Sequence, residues 1–212
     1  EENHAMKKII TSLFLLCLSL IGIKGQAQSF ADDLSFSLDW QMNAPIGKND
    51  YANKFSVWGM NLDAGYEITS QWTAGVFASF HTNHRYVGRE TFPLSPTASL
   101  TTDQQQSSFQ VPFGAFGRYY VYDNGYIRPY VAAKLGAMYE QNTTYLNATS
   151  IYERPWGFYV SPEIGMNINP KRYYRYGFHV ALYYSYATNK TNLLNYVENG
   201  RNNIGFRVGI CF

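Results

Sequence analysis

The feature that most constrains this chain is its final stretch, Ile204-Gly205-Phe206-Arg207-Val208-Gly209-Ile210-Cys211-Phe212. Ile204, Phe206, Val208, Ile210 and Phe212 fall on one face, and Gly205, Arg207, Gly209 and Cys211 on the other. Strict period two, with β-branched and aromatic residues on one side, is the pattern of a strand. A strand this apolar, left as an open edge, recruits other chains. Pairing it with the first strand of the same chain would remove the edge and close a barrel.

Seven earlier runs share the pattern. Leu34 to Met42 places its apolar residues at even numbers. The next two present Trp58, Met60, Leu62, Ala64 and Tyr66, then Trp72, Ala74, Val76, Ala78 and Phe80. A fourth carries Phe109, Val111, Phe113 and Ala115, and a fifth Val131, Ala133, Leu135, Ala137 and Tyr139. The sixth and seventh show Trp156, Phe158, Val160, Ile164 and Met166, then Phe178, Val180, Leu182, Tyr184 and Tyr186. Thr69-Ser70-Gln71, Asp123-Asn124-Gly125 and Asn169-Pro170-Lys171-Arg172 read as tight turns. Polar loops are expected at 43–53, 84–107, 142–153 and 188–201. Runs of about ten residues suit strands tilted across a bilayer, and connections alternating long and short are the asymmetry of outer-membrane barrels.

The amino terminus points the same way. Met6-Lys7-Lys8, an apolar run from Ile9 to Ile23, and Gly25-Gln26-Ala27 form a secretory signal with cleavage expected after Ala27. Its apolar run falls short of the roughly 20 residues of a spanning helix. Glu1 to Ala5 precede the evident start and read as non-native. Two segments are therefore expected, a leader at 1–27 and one β-barrel domain at 28–212.

Composition decides which face of each strand meets what. Of 212 residues, 17% are aromatic and only 15% charged, which suits a wall in contact with lipid better than a soluble surface. Removing Lys7, Lys8, Lys24, Glu1 and Glu2 from the 17 basic and 15 acidic residues leaves 14 and 13, a balance that gives no nucleic-acid footprint. Glycines 59, 65, 75, 114, 136, 157, 165, 177, 205 and 209 gather on the polar faces. Glycine weakens a solvated strand but makes room inside a narrow barrel, so the polar face is expected inward. Arg118, Arg128, Lys134, Arg175 and Arg207 would then be matched by Asp39, Asp63, Glu67, Glu140 and Glu163 in a packed ionic lumen. Pro129 sits near a strand start, Pro112 lies within a strand, and Pro162 implies a mid-strand bulge.

The signal, the eight runs, the Arg128-Pro129-Tyr130-Val131 opening of the fifth run and the terminal aromatic strand together resemble the eight-stranded outer-membrane barrel family of the OmpA membrane-domain and OmpX type. The resemblance implies an all-β, eight-stranded antiparallel up-and-down transmembrane β-barrel, monomeric, among outer-membrane lipid and lipopolysaccharide. It also implies that Phe206, Val208, Ile210 and Phe212 form the signal read by the outer-membrane insertion machinery. No peptidoglycan-binding domain is expected after Phe212, a departure from full-length OmpA-type proteins.

Chemistry is sparse. His81 and His84, near Ser79, Asn83 and Asp103, supply the residue types of a lipid-modifying enzyme without a spacing that fixes a triad. His179 reads as one more lumen hydrogen-bonding residue. No cofactor or metal motif occurs, and Cys211 is the lone cysteine expected after cleavage. The expected role is structural or surface-binding, with an extracellular ligand met by the external loops. Porin-like passage of small or hydrophobic solutes is the first alternative and a lipid enzyme the second.

Overall fold

The computed structural model describes residues 33–47, 51–95, 98–146, 149–171, 176–193 and 196–212, so the expected leader and Arg175 lie outside the described residues. Among the described residues nine antiparallel strands form one sheet: β1 (Leu34–Ile46), β2 (Gly59–Glu67), β3 (Trp72–Ser95), β4 (Ala98–Tyr120), β5 (Ile127–Leu146), β6 (Thr149–Glu153), β7 (Trp156–Ile168), β8 (Gly177–Leu193) and β9 (Tyr196–Cys211). Eight of them, all but β6, close a ring in sequence order. Closure is made by the terminal stretch, with β9 pairing β1 from Ser37↔Cys211 to Ile46↔Asn202. Phe212 and Phe36 exchange backbone hydrogen bonds at 2.6 and 2.8 Å, and their rings stack 5.7 Å apart.

Burial alternates with the pleat. Leu38, Val76, Val131, Leu135, Ile164, Leu182, Val208 and Ile210 are exposed on the outer wall. Asp39, Asn61, Asp63, Lys134, Glu163, His179 and Arg207 are buried within. The inversion of apolar-inside packing is the mark of a wall solvated by lipid, where every backbone group pairs along the closed ladder. Glycine makes the narrow interior possible at particular contacts. A β-carbon on Gly165 would stand 2.6 Å from the Tyr130 hydroxyl, and one on Gly205 would strike the Tyr183 ring.

Within the expected loops at 84–107, 142–153 and 188–201 the described residues are instead mostly strand, continuing β3, β4, β5, β8 and β9 and adding β6 alongside β5. β3 and β4 run 24 and 23 residues, against nine in β2, and β5, β8 and β9 also overrun a bilayer crossing. The alternation persists there in polar residues, with Gln104, Gln106 and Ser108 buried inside. Beyond the membrane both faces meet polar surroundings, so the apolar contrast that reveals a strand fades while its period remains.

Pro162 produces no bulge. β5 passes it in register at Ala133↔Pro162, and β7 and β8 keep one register on both sides of a short gap. The missing donor is replaced by the preceding side chain, since Ser161 Oγ donates to the Tyr184 carbonyl at 2.7 Å. Pro112 likewise stays in register with Met138. The register shifts lie farther up, at Val87/Glu90, Pro93/Ser95 and Ala187/Lys190. Ser161→Ala removes the substitute donor and should cost about 1–3 kcal/mol, read as a lower urea midpoint in detergent. An unchanged midpoint would mean the Tyr184 carbonyl is satisfied otherwise.

Candidate functional site

The lumen is filled in layers. At the short-turn rim, Arg128 bonds Glu67 at 2.9 Å and Asp123 at 3.1 Å, with its guanidinium 4.1 Å over the Tyr120 ring. Tyr120, Tyr130, Ala132 and Ala181 form an aromatic-lined floor above it.

The central ionic cluster follows. Asp63 accepts from Arg118 at 3.0 Å and from Lys134 at 2.6 Å. Glu163 accepts from Arg207 and lies 3.6 Å from Lys134. Asn61 donates to Asp39 at 2.9 Å and Asp63 at 3.0 Å, and its carbonyl accepts from Lys134 at 3.1 Å. Aromatic faces sandwich the cations, with Arg118 4.2 Å over Tyr130 and Arg207 4.1 Å over Tyr183. Phe77, Phe116, Met138 and Tyr159 pack as an apolar plug beside them.

Toward the outer end, the plug gives way to amides. Gln41 accepts from Arg207 Nε at 2.8 Å, which turns its amide nitrogen toward His81 Nδ1 at 3.0 Å. His81 Nε2 in turn donates to Gln110 at 2.9 Å. Glu140 bonds Arg201 at 2.9 Å, and Arg201 also bonds Glu198 at 2.9 Å. The mouth itself is covered by the first long connection. Tyr51 and Ala52 are fully buried there with Leu193. The Tyr51 amide donates to Glu198 at 2.8 Å, and its phenol, which burial pushes up to about 12, lies 3.2 Å from the Thr144 hydroxyl. Ala52 holds this turn at a φ of 48°.

Of the residues singled out from sequence, Asp39, Asp63, Arg118, Lys134, Glu163 and Arg207 converge on the central cluster. Glu67 and Arg128 stand apart at the rim, and Glu140 sits higher with a partner drawn from an expected loop. Arg201 and Glu198 escaped notice because their stretch reads as polar loop, although Glu198, Gly200 and Arg201 are buried in it. Phe206, Val208, Ile210 and Phe212 share the outer face of β9 and its end, paired through the backbone with β1 and β8. His81 and His84 do not form one site. His81 is buried between two glutamines, whereas His84 is exposed on the opposite face of β3.

A closed ring of this construction, apolar outside and ionic within, defines an integral outer-membrane barrel. The chain belongs to the outer membrane protein beta-barrel domain family, which it matches over residues 13–212. That membership places it in the bacterial outer membrane. Among solved structures it is similar to Neisserial surface protein A (16% identity, TM-score 0.50, covering 84% of this chain and 96% of that one). It is also similar to Ail, the attachment invasion locus protein of Yersinia pestis (20% identity, TM-score 0.46, 84% and 97%). A further likeness is to OprG of Pseudomonas aeruginosa (13% identity, TM-score 0.43, 84% and 93%). At these identities the likeness is one of fold. No curated protein matches the sequence.

Proposed function

We propose that this protein is a surface barrel whose working parts are its long outer hairpins, with the membrane-spanning ring as their rigid base. The single observation carrying this reading is the filling of the lumen, from the Arg128 rim through the ionic cluster to the Tyr51–Ala52 cover. What remains accessible for recognition is the outer ends of β3–β4, β5–β6 and β8–β9, where Tyr86, Tyr145, Tyr152 and Val197 are exposed. Aromatic side chains presented on rigid strands are economical binding groups, because little conformational entropy is lost on contact. In this reading the leader at 1–27 directs export and is removed, leaving the barrel domain at 28–212. The outward face of Phe206, Val208, Ile210 and Phe212 is the segment read by the insertion machinery. The ten charged residues named from the sequence are its lumen network, lipopolysaccharide and other outer-membrane lipid surround the wall, and the barrel works as a monomer.

The test uses the full chain and a variant in which 88–101 is replaced by a short turn. Both should migrate faster unboiled than boiled in outer-membrane fractions, because a closed ladder survives detergent until heated. Expression of the full chain should raise attachment of cells to an epithelial monolayer, and the trimmed barrel should not. Equal attachment by both would count against the hairpins as the binding parts.

Passage of solutes makes a different prediction. In planar bilayers the purified protein should give no current steps above baseline, since the charges that would line a channel are bonded to one another. Sustained steps would favour a porin-like role. A lipid-modifying enzyme would need a histidine with a nucleophile and a carboxylate open to lipid; His81 bonds only amides, and His179, which does meet a carboxylate and a hydroxyl, is enclosed in the lumen.

A further inference from the structure

We propose that the lumen holds one structural proton: the Asp39–His179–Tyr130–Glu163 chain contains three hydrogens where the ordinary charge states of its groups supply two, and the third makes His179 an imidazolium. The inference rests on the filled-lumen reading and deepens it.

Three contacts define the chain. His179 Nδ1 lies 2.5 Å from Asp39 Oδ1, and His179 Nε2 lies 2.5 Å from the Tyr130 hydroxyl. Tyr130 donates to Glu163 Oε1 at 2.6 Å. At such separations each pair of heavy atoms needs a hydrogen between them. A neutral imidazole carries one, a phenol carries one, and ionised carboxylates carry none. Tyr130 commits its hydrogen to Glu163, so it can meet His179 only as an acceptor, and Nε2 must donate. Nδ1 faces Asp39, which in its ionised form can only accept, so Nδ1 donates as well. Placing the third hydrogen on Glu163 instead would leave Arg207 and Lys134 set against an uncharged group.

His81 shows what a neutral histidine looks like in the same lumen. It accepts from Gln41 on one nitrogen and donates to Gln110 on the other, one hydrogen sufficing. The two histidines are both fully enclosed, and their partners differ in kind.

A second, independent observation is the charge count. Among the described residues, the buried carboxylates are Asp39, Asp63, Glu140, Glu163 and Glu198, and the buried Lys and Arg side chains are Arg118, Lys134, Arg201 and Arg207. Five negative groups face four positive ones, and an imidazolium at His179 closes the difference. The charged and titratable groups linked to it, directly or through shared partners, are Asp39 on β1, Asp63 on β2, Arg118 on β4, Tyr130 and Lys134 on β5, Glu163 on β7 and Arg207 on β9. Of the carboxylates in this set, Asp39 alone has no Lys or Arg bond among the described residues, and His179 is the cation set against it.

The measurement is made on the whole barrel in detergent micelles at pH 7.5, where a free imidazole is mostly neutral. Two-bond proton–nitrogen correlation spectra of ¹⁵N-histidine protein should show hydrogen on both ring nitrogens of His179 and on only one of His81. A bare nitrogen on His179 would overturn the proposal. Unboiled gel mobility of the same sample reports whether the barrel is closed. A closed barrel with a singly protonated His179 therefore defeats this inference alone, and an open one defeats the filled-lumen reading. As a second measurement, His179→Gln should lower the melting midpoint of the mobility shift by roughly 10 °C. Asp39→Asn added to it should restore at least half of that loss by removing the stranded charge. A double variant no more stable than the single one would show that the imidazolium does not balance Asp39.

Discussion

Glu163→Ala should destabilise the barrel by about 3–5 kcal/mol, the cost of leaving buried charges without their partner. Glu163 is the acceptor for Arg207, for the Tyr130 hydroxyl, and across 3.6 Å for Lys134. All three partners are nearly or wholly enclosed, so water cannot replace the lost carboxylate. Urea unfolding in detergent, followed by gel mobility, should show the fall. Glu163→Gln should be nearly as harmful, because it restores an acceptor for Tyr130 but not the charge. The double variant Glu163→Met, Arg207→Met should recover part of the loss, since a buried ion pair replaced whole by apolar groups of similar size is often tolerated. A single variant with wild-type stability would mean that the lumen is wet enough to screen its charges.

The second large effect concerns the outer wall. Leu182 lies midway along the crossing part of β8 and is 52% exposed, while Val197 is 67% exposed on the outer hairpin of β9. On a soluble protein, arginine at either exposed position would be nearly neutral. Against acyl chains, Leu182→Arg should cost about 2–4 kcal/mol, and Val197→Arg beyond the bilayer should stay within about 0.5 kcal/mol. The contrast between two outward positions on neighbouring strands isolates depth from exposure. Equal, small effects would remove lipid from the account of the wall.

How much of this was legible beforehand depends on whether hydrophobicity marked the strand period. From Phe36 to Met42, and again from Ile204 to Phe212, apolar and polar residues alternate without exception, and the ring closes through those two stretches. From Gln104 to Ser108 the same period is carried by residues of similar polarity, and it reads as loop. The inward charges could be named because the face of each strand was known. Their partners could not, because pairing across the lumen depends on register and tilt. Arg201 reaches Glu140 from a stretch that looked solvated, and Asp39 is met by a histidine rather than by a lysine or arginine. Pro162 misled for a different reason. The rule against proline in a closed ladder considers the backbone alone, whereas the Ser161 side chain supplies the missing hydrogen bond.

The length of the β3–β4 hairpin has a consequence for what the cell presents. After a crossing of about ten residues, β3 still has roughly 14 of its 24 to run. At about 3.3 Å per residue they carry its end about 46 Å along the strand direction. If the hairpins are the binding parts proposed above, such a stalk would set the stand-off distance at which the barrel meets another surface, and shortening it would draw that encounter toward the membrane.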